Sequence, residues 1–106
     1  MAAGLLGKAN LSATTITNIY TVPASTVATC NILVCNRNAS AVTVRLALST
    51  TSVTQATDEF IEYGVTIPAN GVLERTGIML QAAKIVTAYS DTANVTVIVD
   101  GFEEAA

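Results

Sequence analysis

Apolar and polar residues take turns along most of this chain, and a period of two is that of a β-strand with one buried face. Residues 41–49 show it best: Val42, Val44, Leu46 and Leu48 alternate with Thr43, Arg45, Ala47 and Ser49. Residues 26–36 repeat it, with Ala28, Cys30, Ile32 and Val34 on one side and Thr29 and Asn31 on the other. Thr, Val and Ile, all β-branched, favour pleated surfaces over helices, and no stretch has a helical period. The chain is therefore confined to sheet.

Further strands are expected at 16–22, ending at Pro23, and at 60–67, with Ile61, Tyr63, Val65 and Ile67 sharing a face. Residues 72–75 make another, Gly77 breaks the run, and Ile78, Met79 and Leu80 lead into a strand at 83–90. The last strand spans 95–102, leaving residues 103–106 as an acidic tail. Pro68-Ala69-Asn70-Gly71 reads as a tight hairpin turn, and the polar residues 50–57 as a crossing from one sheet to the other. The resemblance of Val22-Pro23-Ala24-Ser25 to Ile67-Pro68-Ala69-Asn70 suggests equivalent corners of two halves. About eight short strands with regular turns indicate an all-β, single-domain β-sandwich, jelly-roll-like, over residues 12–106. Residues 1–11 are expected to form an N-terminal arm whose Leu5 and Leu6 lie on a neighbour, a frayed terminus being the other reading.

At 106 residues the chain fits one core. Charged residues make up only 12% of it, against roughly 25% in ordinary domains. Thirteen charged side chains cannot coat such a domain, so part of the outside is expected to be covered by other protein, as in a homo-oligomer or a larger assembly. The net charge of −3 and the scattered cations exclude the basic footprint that grips nucleic acid. No segment reads as a secretion signal or as the ~20-residue apolar span of a membrane helix, so a soluble protein made in the cytoplasm is expected.

No histidine is present, which removes the commonest general base and metal ligand. Cys30 and Cys35 cannot supply four zinc ligands. Five residues apart in one strand, they face opposite ways with backbones about 16 Å apart, too far for the ~7 Å limit of a disulfide. Asp58, Glu59 and Glu62 form the one acidic group within the fold, read as a solvated strand entrance with Glu74 and Arg75 close enough to pair. Neither catalysis, a metal nor a cofactor is expected. Sugar recognition has the exposed tyrosines as its support and no tryptophan.

Phe60-Ile61-Glu62-Tyr63, then residues 67–77 (Ile67-Pro68-Ala69-Asn70-Gly71-Val72-Leu73-Glu74-Arg75-Thr76-Gly77), with Asn36-Arg37 and Val44-Arg45-Leu46-Ala47-Leu48-Ser49 before them, resemble small virion structural proteins of tailed bacteriophages, especially of marine and cyanobacterial hosts. The likeness runs from about Leu5 to Glu104 and carries no catalytic signature. It implies a virion component on the exterior of the particle: a capsid decoration or cement protein bound to the major capsid protein, or alternatively a tail-fibre or baseplate adaptor that contacts tail proteins or host glycan. Leu5, Leu6, Lys8 and Arg75 are the residues expected at the partner contact.

Overall fold

In a computed structural model that describes residues 2–106, the two sides of each alternating segment find their environments in two four-stranded antiparallel sheets laid face to face. The strands are β1 (Ala3–Leu11), β2 (Thr17–Thr21), β3 (Thr26–Asn36), β4 (Val42–Ser49), β5 (Phe60–Ile67), β6 (Val72–Leu80), β7 (Ile85–Ser90) and β8 (Val95–Ala105). The first sheet has the order β1-β8-β3-β6 and the second β2-β7-β4-β5. Strand 1 thus pairs with 8, 2 with 7, 3 with 6 and 4 with 5, the pairing of a long ribbon doubled on itself and rolled up, which is a jelly roll. Every connection except β4–β5 passes from one sheet to the other.

The layer between the sheets is dry and mostly branched. Ile32 and Val34 of β3, Val44 and Leu46 of β4, Val86 of β7 and Val97 and Val99 of β8 have no exposed surface. Each large side chain in such a layer contributes about 1.5–3 kcal/mol by leaving water. Cys30 belongs to this layer while Cys35 lies on the outer side of the same strand, and both are free thiols. Burial first, then the charge of Asp100, pushes the Cys30 thiol up to about 11; it stays protonated and acts as a small apolar group.

Several expectations are corrected. Residues 3–11 are not an arm: they form the edge strand β1, paired along β8 from Ala3↔Phe102 to Leu11↔Val95. Gly7 makes this seating possible, because a Cβ there would stand 2.2 Å from the Ile19 carbonyl oxygen of β2. Nor is there an acidic tail, since Glu103 and Glu104 continue β8 opposite Ala28 and Val27. β6 runs unbroken through Gly77, which sits at a bulge with φ of 69°. The two connections expected at 50–57 and 68–71 exchange roles. The long one returns to the same sheet, joining the paired β4 and β5, while the short Pro-containing turn crosses between sheets.

The corner at 68–71 closes a β-turn, the Gly71 N–H donating to the Pro68 carbonyl at 2.9 Å, but no hairpin ladder, since β5 and β6 belong to different sheets. Asn36, fully buried, donates its amide to the carbonyls of Ser40, Ile67 and Pro68 at 3.0–3.2 Å and accepts from the backbone and side chain of Asn38. The suspected echo is real in geometry: residues 22–25 and 67–70 both lead from the second sheet to the first, Val22 and Ile67 are buried, and Ser25 and Asn70 share a left-handed φ of 54° and 57°. Asn36→Leu removes this pin and strands buried carbonyls, so it is expected to cost about 2–4 kcal/mol. Urea unfolding at constant m-value checks it.

Candidate interaction surfaces

With the inward faces fixed by the core, the outward faces carry whatever the chain shows to partners. On the first sheet the outward residues are Ala3, Leu5, Lys8 and Asn10 of β1, residues 96–104 of β8 at even positions, residues 27–35 of β3 at odd positions, and Val72, Glu74 and Met79 of β6. Many are apolar: Leu5 is 56% exposed, Val72 60%, Met79 70% and Phe102 44%. Val27, Leu33, Cys35 and Ile98 fill the ground between them, half-buried. Polar groups interrupt the face: the Asn31 amide donates to Asp100 and its oxygen accepts from the Gly77 backbone, the Thr96 hydroxyl donates to Asn10 and accepts from Arg37, and Lys8, Glu74 and Glu104 stand on it as well. Contiguous exposed apolar side chains on a folded protein make a face a candidate for contact with a partner.

The residues expected at the contact part company. Leu5 and Lys8 reach this outer face, but Leu6, the extra residue of a bulge in β1, packs against the core. Arg75 faces inward opposite Ile32 and forms an ion pair with Glu62 of β5, closing the open side of the sandwich between the two edge strands. The acidic group is likewise dispersed. Glu62 is in that ion pair, Asp58 is exposed, and Glu59 accepts from the backbone of Ala56 and Thr50 and the Thr50 hydroxyl, clamping the base of the 50–59 loop. Among the described residues no three His, Cys, Asp or Glu side chains gather as a metal site.

The second sheet shows a different outer face. One end is covered by the 50–59 loop: Ala47, Ser49, Ile85 and Thr87 point outward by register and yet are buried. The Ser49 and Thr87 hydroxyls hydrogen-bond beneath it, and Asn18 and Lys84 hold the loop through Ser52 and Thr50. Beyond the loop, Tyr63, Arg45 and Tyr89 stand in one row across β5, β4 and β7. The guanidinium of Arg45 lies over both rings, 4.6 Å from the centre of Tyr63 and 5.1 Å from that of Tyr89. Phe60 meets Tyr63 edge-on at 4.8 Å, and a cleft of about 400 Å³ lined by Thr57, Phe60 and Tyr63 opens beside the row. Tyr63 was expected on the core side with Ile61. Two extra residues in β5, Ile61 and Gly64, turn it and Phe60 outward together.

The first strand and the end of β8 are latched by one carboxylate. Glu103 accepts the Tyr20 hydroxyl at 2.5 Å and the Ala2 backbone N–H at 3.1 Å. The Tyr20 hydrogen bond, then that from Ala2, holds Glu103 below the usual carboxylate range, and hydrogen bonds from Ala56 and Thr50 do the same for Glu59. No protein-family model matches the chain, and comparison with curated proteins finds no significant relative.

Because both carboxyls are more acidic folded than unfolded, their contribution is present above the unfolded carboxylate range and is lost as pH falls through the folded values. The melting temperature is expected to drop as pH falls into and below the unfolded carboxylate range, and Glu103→Gln to flatten that slope while lowering the melting temperature at neutral pH. Thermal scans across this range check both.

Proposed function

We propose that the chain is a non-enzymatic structural protein of a bacteriophage virion, a capsid decoration or cement protein that binds the outer surface of the major capsid protein and stabilises the shell. The observation that carries this reading is the set of exposed apolar side chains on the outer face of the first sheet, Phe102, Met79 and Leu5 towards one end and Val72 towards the other. It fits the sparse charge of the chain and its resemblance to virion proteins. Faces rather than edges are the available surfaces, since each sheet edge is interrupted by a bulge. A specific contact buries ~1,200–2,000 Å² in total, and repetition over a symmetric shell multiplies it without any reaction. A tail-fibre or baseplate adaptor is the second reading, favoured by the aromatic row on the opposite face.

Purified protein is expected to bind emptied, expanded heads and not isolated tails, at hundreds of copies per particle. The double variant Met79→Asp with Phe102→Asp is expected to weaken that binding at least ~100-fold, the scale of losing two central apolar anchors, and to keep a cooperative unfolding transition. Binding to tails alone, at a few copies, would reject the capsid assignment.

A further inference from the structure

The Arg45 guanidinium is held and yet unused. The guanidinium carbon lies over the Tyr63 ring at 4.6 Å and over the Tyr89 ring at 5.1 Å, and hydrogen bonds leave a guanidinium through its edge, in the plane of its five N–H groups. Among the described residues no carboxylate, carbonyl or hydroxyl accepts from them, whereas the guanidinium groups of Arg37 and Arg75 do find acceptors. No acidic side chain neutralises it: Glu62, its neighbour on β5 through Tyr63, turns to the core side and pairs with Arg75. A side chain whose rotamers are fixed by stacking, with its donors free, is preorganised for a planar anion.

The ground beside it selects the rest of the ligand. The cleft against Tyr63 has a volume of about 400 Å³, within the range of small-ligand sites, and its walls are the rings of Phe60 and Tyr63 with the Thr57 residue at the rim. Tyr63 is 68% exposed; its ring carries the Arg45 guanidinium and, with Phe60, walls a cleft able to take the apolar C–H surface of a hydroxylated ring. Arg45 touches Tyr63, a wall of the cleft, so a ring held there could reach the Arg45 fork with a carboxylate substituent.

We propose that Arg45, Tyr63 and Tyr89, with Phe60 and Thr57, form a binding site for an acidic sugar, a pyranose ring bearing a carboxylate. The carboxylate pairs with the edge of Arg45, the sugar ring sits in the cleft between Thr57, Phe60 and Tyr63, and Tyr89 supports the guanidinium together with Tyr63. The site lies on the sheet opposite the apolar face, so it remains open when that face is covered. It depends on neither the capsid nor the tail reading.

The test uses the full chain in solution and titration by NMR, following the Arg45 Nε–H resonance and the backbone amides of residues 57–63. Glucuronate and an oligogalacturonate are the probes; galactose and glutamate are the comparisons. Saturable shifts at Arg45 and residues 57–63 with the uronates, at least ~10-fold weaker with galactose and with glutamate, are expected, as is weakening with added salt. Arg45→Lys keeps the charge but not the fork and is expected to lose ~10-fold or more in affinity, and Tyr63→Ala a similar factor, with both variants checked for an unchanged amide pattern elsewhere. Absence of shifts at Arg45 with either uronate overturns the site. Glutamate binding as tightly as glucuronate, the signature of a receptor for a protein carboxylate, overturns the sugar assignment, and galactose binding equally well removes the role of Arg45.

Discussion

The structure rests on a dry layer of branched side chains between two sheets. Ile32, Val34, Val44, Leu46, Val86, Val97 and Val99 have no exposed surface, and they come from the four central strands, β3 and β8 of one sheet and β4 and β7 of the other. A strand that slipped by one residue would send its entire buried set to solvent. The layer therefore fixes register, and register fixes what each outer face displays. Positions 45, 63 and 89 form a row, and positions 79 and 102 flank Thr29, because the inward neighbours of each are held in the core.

The edges reinforce this division. Each of the four edge strands carries its own extra residue or residues: Leu6 in β1, Ile19 in β2, Ile61 and Gly64 in β5, and the stretch around Gly77 in β6. The central strands stay regular. Bulged edges resist ladder pairing with another chain, and the ion pair between Arg75 and Glu62 shuts the gap between β5 and β6. Association is left to the faces. One exposes Leu5, Val72, Met79 and Phe102 among polar groups; the other is shielded by the 50–59 loop at one end and at the other bears a guanidinium set over two tyrosine rings.

Much of the sheet architecture was legible in the sequence, and several of the departures share one cause. Strands 26–36 and 60–67 appear with the bounds read from alternation, because a pleated strand with one buried face writes its period directly. Bulges erase that signal. In β1 the extra Leu6 puts two leucines and a glycine in succession, so a paired strand looked like an arm. In β5 Ile61 and Gly64 shift the phase twice, which hid the outward row of Phe60 and Tyr63, although Gly64 within a strand was the available clue. Gly77 gave the same clue in β6 and was read as a break. The 68–71 corner, which crosses between sheets, is held by Asn36, distant in sequence, whose amide donates to the carbonyls of Ile67 and Pro68. Arg45 was read as one polar position among others, since nothing local says that tyrosines from two neighbouring strands will enclose it.

Met79 offers the most direct measurement of a covered first-sheet face, because it is a 70% exposed thioether on that face and reports access by its own oxidation. Hydroxyl-radical footprinting of the free protein and of protein bound to phage heads compares Met79 with Tyr63 on the opposite sheet. An apolar docking face requires rapid oxidation of Met79 in the free chain and strong protection on the particle, with Tyr63 reactive in both. Equal oxidation of Met79 in the two states, or protection of Tyr63 in its place, would contradict it.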